Sequence, residues 1–451
     1  MQLDALFEYI DANANKYVEE LRAFIRQPSV SAEDRGIAEG AALVRRMMEA
    51  IGIDAEIMEA SHSPFVIGTL DSQRSNKTLL VTSHYDVVPP GPLSAWQVDP
   101  FSATLRNGDI IGRGAADPKG NLMAGLKAVQ ALMELQGDVP VNFKFLVDGD
   151  DESTLGDFTG FVEANKDLLA CDAVLLIDAG FTRDGNSPVH LGNAGCLTVD
   201  LSVATGSKDP YIIWTQIIPD AAYRLTWALA SLKDQDENVL VDGFYDDVYH
   251  PDEADLALLQ TYPWTDEGEI DFWGIDRFVT GAQGIAAVRR LLFEPTCSIC
   301  GLEPGLGRDD TGTLVPSRAT ARVNFHLVPH QDPDDILTKL HRHLQRHGLS
   351  DVQVNVFRKY APIAGSADAA IGRAVVRAAE HVGIQSYLMP YSFELGYAWS
   401  GLGRQLGVDG ALVGVADPDR RAHFPNERIS VKYYLDGIKW MAATYLEYGR
   451  S

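Results

Sequence analysis

Five short polar segments of the sequence carry imidazole and carboxylate side chains, each beside an apolar run. The residues are His84 and Asp86 in SHYDVVP, Asp117 in GRGAADPKGN, Asp151 and Glu152 in DGDDE, Asp178 in LLIDAG, and His423 in AHFPNERI. Imidazole nitrogens and carboxylate oxygens are good ligands for zinc, manganese and cobalt, and a pair of such ions needs a carboxylate that bridges them. A lone histidine or a lone acidic loop has an ordinary structural explanation. It is the joint placement of these residues that favours a metal centre.

The elements around these segments alternate between strands and helices. The apolar runs predict strands at 64–70, 78–83, 141–148 and 173–178 and a helix at 120–137. This alternation is typical of an α/β fold with a mostly parallel sheet covered by helices, in which functional groups gather at the carboxyl ends of the strands. Three of the polar segments directly follow a predicted strand. The fold class therefore predicts that they meet at one edge of the sheet.

The character of the sequence changes near residue 196, where strands of alternating polarity such as SRATARVNFHLVP replace the buried ones. Such alternation is typical of an antiparallel sheet with one solvated face. From about residue 355 buried strands return, and a final helix is predicted at 432–449. We therefore predict a catalytic metal-binding domain formed by residues 1–195 and 355–451, with a smaller α+β domain inserted at 196–354.

The composition argues against several classes of protein. The chain has 451 residues, of which 46% are hydrophobic and 22% charged, as in ordinary globular proteins. Its formal net charge of -25 opposes binding to nucleic acid or to an anionic membrane. No stretch reaches the roughly 18 uninterrupted apolar residues of a membrane span, and the N-terminal segment reads as an amphipathic helix. We expect a soluble cytoplasmic protein that acts on a small molecule.

The five segments, in this order, resemble the metal-site motifs of the M20 metallopeptidase and amidohydrolase family, in its dipeptidase and carnosinase-like branch. The similarity extends to other segments and so covers almost the whole chain: ASLKDQDENVLVDGFYDDV, FEPTCSICGLEPG and FHLVPHQDPDDI. It implies a hydrolase that cleaves a C–N bond of the amide or peptide type with a metal-bound hydroxide. It also implies a homodimer, with the inserted domain as lid and dimerisation domain.

The resemblance assigns a role to each candidate ligand. Asp117 would bridge two divalent ions. His84 and Asp178 would bind one ion, and Glu152 and His423 the other. Zinc is the favoured metal, with manganese and cobalt as alternatives, because this set of nitrogen and oxygen ligands suits all three.

Two further carboxylates complete the implied site. Asp151 would be the general base that takes a proton from the attacking water, and Asp86 would hold the His84 ring in its metal-binding tautomer. The family has a cis peptide bond after the bridging residue, here Asp117-Pro118. Asp151 departs from the family, which has Glu there, and a carboxylate displaced by about 1 Å can cost roughly 100-fold in rate.

The segments that grip the substrate in the family differ in this chain. An Asp-Leu-His-Ser-Gly motif is replaced by Lys208–Ile212, without a histidine, and an Arg-Leu-Val-Pro motif begins instead with His326. Imidazole does not reproduce the bidentate fork that a guanidinium offers a carboxylate. The aromatic residues nearby in sequence are Trp214, Tyr397 and Trp399. We hypothesise a non-standard substrate that is bulkier, aromatic or without a free α-carboxylate, unless compensating residues restore ordinary peptidase activity.

Two other functions stay open at this point. One is hydrolytic deamination of an aromatic or otherwise unusual small molecule. The other is a catalytically weak, metal-binding homologue that acts as a scaffold.

Outside the five segments, Cys297 and Cys300 have metal or redox spacing but are interpreted as buried thiols. His341, His343 and His347 are interpreted as a polar helix face.

Overall fold

The computed structural model describes residues 3–153, 155–303, 312–395, 402 and 405–451. The chain divides into two compact units. The first unit comprises Met1–Gly192, Gly365–Pro390 and Tyr397–Ser451, and the second comprises Asn193–Ala364 and Tyr391–Gly396. For comparison, the sequence places the domain boundaries at 195/196 and 354/355.

Helices and strands are numbered in chain order over the described residues. The helices are α1 (Leu3–Ala12), α2 (Ala14–Ile25), α3 (Ile37–Glu49), α4 (Lys119–Gln136), α5 (Phe158–Ala164), α6 (Lys166–Leu169), α7 (Ala221–Leu232), α8 (Glu253–Leu259), α9 (Asp266–Trp273), α10 (Ile285–Phe293), α11 (Pro333–Arg346), α12 (Ala370–Val382) and α13 (Val431–Arg450). The strands are β1 (Asp54–Met58), β2 (Phe65–Leu70), β3 (Thr78–His84), β4 (Thr104–Arg106), β5 (Asp109–Ile111), β6 (Asn142–Asp148), β7 (Ala173–Ile177), β8 (Ser187–His190), β9 (Asn193–Ala204), β10 (Thr296–Glu303), β11 (Arg318–Leu327), β12 (Gln353–Tyr360), β13 (Ser386–Met389), β14 (Ser392–Leu395), β15 (Gly410–Val413) and β16 (Arg428–Ser430).

An eight-stranded mixed sheet forms the centre of the first unit, in the order β1-β2-β6-β3-β7-β15-β8-β13. Strands β6, β3, β7 and β15 run parallel to one another, and β1 and β2 are antiparallel at one side. The central strands are apolar along their length, as Ala173–Ile177 illustrates, because a parallel sheet is covered on both faces. Helices α4 and α12 pack on this sheet, and α13 packs against both of them. The predicted α/β fold with a mostly parallel sheet is confirmed.

The second unit contains a separate antiparallel sheet in the order β10-β11-β9-β12, with β14 added alongside β9. Along β11 every second side chain is buried, including Val323 and Phe325, whereas the residues between them are partly exposed. This period of two places one face of the sheet in a hydrophobic core shared with α7 and α11 and leaves the other polar. The predicted small α+β domain is observed.

Three details differ from the sequence-based interpretation. The N-terminal segment forms two helices, α1 and α2, that are separated at Asn13. His343 is 4% exposed rather than on a polar face, because Ser231 Oγ lies 3.0 Å from its Nε2 and so provides a hydrogen-bonding partner for the buried ring. Cys297 is buried, but Cys300 is exposed on β10.

Among the helices of the described residues, none has the length and apolar character needed to cross a bilayer.

Candidate metal centre

Adjacent parallel strands bring three of the predicted groups to one edge of the central sheet. His84 is the last residue of β3, Asp151 and Glu152 lie in the loop after β6, and Asp178 directly follows β7. Strand β3 pairs with both β6 and β7, which sets their carboxyl ends side by side. The backbone N–H of Asp178 donates to Val413 O at 2.8 Å and so fixes this residue to the neighbouring strand β15.

Asp117 lies between β5 and α4, and the peptide bond that follows it is cis, as the resemblance predicts. Asn121, in the first turn of α4, fixes this segment. Its Nδ2 donates to Ala116 O at 3.3 Å and to Ala179 O at 3.1 Å, and its Oδ1 accepts from Val415 N at 2.8 Å. The Asn121 side chain therefore connects the Asp117 segment to the residues that follow β7 and β15.

The carboxylate of Asp117 stands between two imidazole rings. Its Oδ1 is 3.3 Å from His84 Nε2, and its Oδ2 is 3.2 Å from His423 Nε2. Each ring also faces a second carboxylate, since His84 Nε2 is 3.1 Å from Asp178 Oδ1 and His423 Nε2 is 3.1 Å from Glu152 Oε1. One shared carboxylate is thus flanked by two pairs of histidine and acid.

Asp151 joins this group on the side of His84. Ligand atoms of His84, Asp117 and Glu152 lie within 4.8 Å of one another, and so do those of His84, Asp151 and Asp178. Nitrogen and oxygen donors of this kind fit zinc, manganese or cobalt. Because each oxygen of Asp117 faces a different histidine, the residues present fit a pair of divalent ions.

Asp86 is fully buried next to His84, and its carboxylate makes four polar contacts. Its Oδ1 is 3.1 Å from His84 Nδ1 and accepts from Asp151 N at 3.2 Å. Its Oδ2 accepts from Glu152 N at 3.0 Å and from Ser31 Oγ at 2.6 Å. A carboxylate at Nδ1 places the ring proton there and leaves Nε2 free for a metal. Asp86 therefore orients the ring and also holds the acidic loop.

Burial of several acids together perturbs their titration. Burial raises the pKa of Asp151 well above its ordinary value, and it raises that of Glu152 to about 7. Burial alone would also raise the pKa of Asp117, but hydrogen bonds from His423 and His84 outweigh it and lower that pKa. Hydrogen bonds to Asp117 and Glu152 raise the pKa of His423 to about 10. A divalent cation would relieve the repulsion between these carboxylates.

His423 comes from a loop before β16 whose backbone is unusual. Arg421, His423 and Asn426 have φ values of 54°, 65° and 64°, which is the left-handed region that side-chain-bearing residues avoid. The loop is closed by a hydrogen bond from Arg428 N to Arg420 O at 3.0 Å. The histidine side chain is 54% exposed. The position of the His423 side chain therefore depends on the contacts that hold this loop in place.

Three polar residues that hold the site were not identified from the sequence. Asn121 and Glu427 lie inside quoted motifs, so their position next to candidate ligands was a weak signal, whereas Ser31 had none. Tyr397 and Trp399, considered above as substrate contacts, lie outside the described residues.

The sequence profile of peptidase family M20/M25/M40 matches residues 80–447, a range that contains every candidate ligand. The chain belongs to this family. It is a divergent M20 member: it is 25% identical to the Beta-Ala-His dipeptidase of Rattus norvegicus over 99% of this chain and 95% of that protein. It is 24% identical to the Cys-Gly metallodipeptidase dug1 of Schizosaccharomyces pombe over 77% of this chain and 76% of that protein.

Solved structures agree with this assignment. A metallo-carboxypeptidase of the M20 family from Sulfolobus solfataricus superposes with a TM-score of 0.91 at 30% identity, covering 96% of this chain and 99% of the other. Human carnosine dipeptidase 1 superposes with a TM-score of 0.83 at 23% identity, covering 100% and 99%, which shows the shared fold. The M20 protein described here is therefore a metallohydrolase, and metal-dependent hydrolysis of peptide bonds is the chemistry that its family membership supports.

Proposed function

We propose that this M20 protein is a binuclear metallohydrolase that cleaves an amide bond of the peptide type. One observation carries the proposal: each oxygen of Asp117 faces a different histidine, and each histidine faces a second carboxylate. A shared carboxylate of this kind is what a pair of ions requires. The relatives named for β-Ala-His and Cys-Gly dipeptides support a small, peptide-like substrate.

The proposed ligand set is the one expected from the sequence. Asp117 would be shared by two divalent ions, with His84 and Asp178 holding one ion and Glu152 and His423 the other. Zinc is the proposed metal, and manganese and cobalt are the alternatives to test. When bound, the ions polarise the scissile carbonyl and lower the pKa of a water molecule. The contribution of the chain is to hold the five side chains in place before substrate arrives.

Asp151 is the proposed general base. Its carboxylate lies in the same ligand group as His84 and Asp178, and its backbone N–H is held by Asp86 at 3.2 Å. From this position the carboxylate would take a proton from the attacking water and deliver it to the leaving nitrogen. Asp86, by contrast, would move no proton and would keep His84 in the tautomer that leaves Nε2 free.

We also propose that the substrate is not an ordinary dipeptide but one that is bulky or aromatic, or that lacks a free α-carboxylate. His326 stands where the resemblance predicts an arginine, and burial lowers the pKa of its ring, which is therefore uncharged near pH 7. An uncharged imidazole lacks the bidentate cation that matches a carboxylate. In the segment that replaces the family's histidine motif, Tyr211 and the nearby Trp214 are each about half exposed, which favours an apolar or aromatic group.

The test is a substrate panel with the zinc-loaded protein, comprising dipeptides, N-acetyl amino acids, aryl amides and cyclic amides, each followed by mass spectrometry. Turnover of aryl or cyclic amides with rejection of dipeptides would support both proposals. Rapid dipeptide hydrolysis would retain the metallohydrolase and refute the unusual substrate. If none of the amides is hydrolysed but ammonia is released from amino-substituted aromatic compounds, the result would favour a deaminase instead.

We further propose a cytoplasmic homodimer. Helix α7 leaves Tyr223 and Trp227 61% and 54% exposed, with ring centroids 5.9 Å apart. Adjacent exposed aromatic residues are typical of interfaces, and a second copy of the chain is the proposed partner. Sedimentation equilibrium should give twice the mass of one chain, and Trp227→Glu should shift it towards the monomer. The four free cysteines fit a reducing compartment.

A further inference from the structure

A buried carboxylate behind the metal centre accepts four hydrogen bonds from the segment that carries Asp117. Glu427 is 0% exposed. Its Oε1 accepts from Ala116 N and Asp117 N, each at 3.0 Å. Its Oε2 accepts from Gly114 N at 3.0 Å and from Arg113 Nη1 at 2.6 Å. All four partners are donors, so the ionised carboxylate is the form that fits this cradle.

The backbone of Glu427 is fixed to the same segment. Its carbonyl accepts from Gly112 N at 2.9 Å, and the next residue, Arg428, begins β16, which pairs with β5 just before the Asp117 segment. On the other side of Glu427 lies the left-handed loop that presents His423. Glu427 is therefore the junction between the two pieces of chain whose side chains meet at 3.2 Å, between Asp117 Oδ2 and His423 Nε2.

The opposite side of the centre is held by other means. Asp178 is fixed by its backbone bond to β15, and His84 by its place at the end of β3 and by Asp86. Neither residue receives a hydrogen bond from Glu427 among the contacts of the described residues. The two sides of the proposed ion pair thus have separate anchors.

We propose that Glu427 is a positioning residue that sets the spacing of Asp117 and His423, so that losing its carboxylate weakens the ion held by Glu152 and His423 before the ion held by His84 and Asp178. The inference rests on the proposed binuclear function. Glu427 touches neither ion nor substrate and acts only through the backbone and the guanidinium that it holds.

Glu427→Gln is the test, because it keeps the shape and removes half of the acceptor capacity. The amide nitrogen of the new glutamine must face either Ala116 N and Asp117 N or Gly114 N and Arg113. In both orientations an N–H donor faces two other donors, so two of the four hydrogen bonds are lost. We expect the affinity for one zinc equivalent to fall by about 10- to 100-fold, the range typical of residues that orient ligands, with the other within about threefold of wild type. Competition titration with a zinc chelator gives both affinities, and the absorption spectrum of the cobalt-loaded protein reports the geometry of each equivalent.

Glu20→Gln is the matched control. Glu20 pairs with the buried Lys127 at 2.6 Å, and these two residues belong to α2 and α4 and contact none of the candidate ligands among the contacts of the described residues. This variant should lower the melting temperature and leave both zinc affinities unchanged. If Glu427→Gln does not fold, Arg113→Lys perturbs the same cradle while keeping its charge, and a smaller loss for the same ion is expected.

The outcomes separate this inference from the function on which it rests. A wild-type protein that binds fewer than two ions would refute the binuclear function itself, and the role of Glu427 with it. Two ions in the wild type and unchanged affinities in Glu427→Gln would overturn the inference alone. Equal weakening of both ions would also overturn it, because it would mean that Glu427 acts on the Asp117 carboxylate that both ions share, or on the fold as a whole, and not on the spacing between Asp117 and His423.

Discussion

Asp86→Asn should weaken zinc binding by about 10- to 100-fold, or roughly 1.4–2.8 kcal/mol, although Asp86 is not a proposed ligand. If the amide oxygen takes the place of Oδ1, it keeps the contacts to His84 Nδ1 and Asp151 N, but the uncharged amide no longer raises the basicity of the His84 ring. The amide nitrogen then faces Ser31 Oγ, which can accept, and Glu152 N, which cannot. One buried N–H loses its acceptor, which should lower the free energy of unfolding by about 1–3 kcal/mol. The flipped amide would instead lose the contact to the His84 ring.

Two measurements on the same preparation distinguish these effects. Urea unfolding of the metal-free protein gives the change in stability, and competition titration with a chelator gives the zinc affinity. Ser29→Ala is the matched control, because its buried hydroxyl donates to Tyr85 O at 2.7 Å and touches no candidate ligand. It should lose about 1 kcal/mol of stability and keep its zinc affinity. If Asp86→Asn behaves like this control, with zinc affinity within about twofold of wild type, the reasoning on ring orientation is wrong.

Three other predictions follow from the same structure. Asp151→Asn should lower kcat by about 100- to 10,000-fold with zinc content unchanged in elemental analysis, whereas loss of zinc would make Asp151 a ligand rather than a base. Chelation should lower the melting temperature, and added zinc should restore it; an unchanged melting temperature would contradict tight binding to the folded state. Asp200→Asn should cost about 0.2–1 kcal/mol in urea unfolding at pH 7, because its paired contacts with Arg322, at 2.7 and 2.9 Å, are partly exposed. Hydrogen bonding to Arg322 lowers the pKa of Asp200 below its unfolded value, so this cost should persist above about pH 4 and shrink as the pH falls further, and a cost that grew on acidification would refute the assignment.

The sequence was sufficient to predict the central sheet and the grouping of three candidate ligand segments at its edge, for a physical reason. Strands buried on both faces read as apolar runs, and parallel strands bring their carboxyl ends together. His84 and Asp178 could therefore be placed together from strand order alone. His423 could not, because its loop follows no predicted strand, and only the resemblance linked it to Asp117.

The residues that hold the ligands were harder to predict because their role depends on partners far away in the sequence. The Glu427 carboxylate accepts from backbone groups more than 300 residues earlier, and Asn121 reaches Val415. A buried charged or polar side chain has no signature of its own in sequence. His343 illustrates the same point, since its buried ring has the hydroxyl of Ser231, more than 100 residues away in the sequence, as a hydrogen-bonding partner.

The division of the chain into two units bears on how an M20 protein could change substrate without losing its chemistry. All five proposed ligands, with Asp86, Asn121 and Glu427, belong to the first unit, where they are fixed by one another and by strand ends. The departures at Lys208–Ile212 and His326 belong to the second unit, which has its own hydrophobic core. Neither Lys208–Ile212 nor His326 belongs to that core, so substitutions at these positions can leave it intact. Binding specificity could therefore diverge while the geometry of the proposed metal centre stayed fixed.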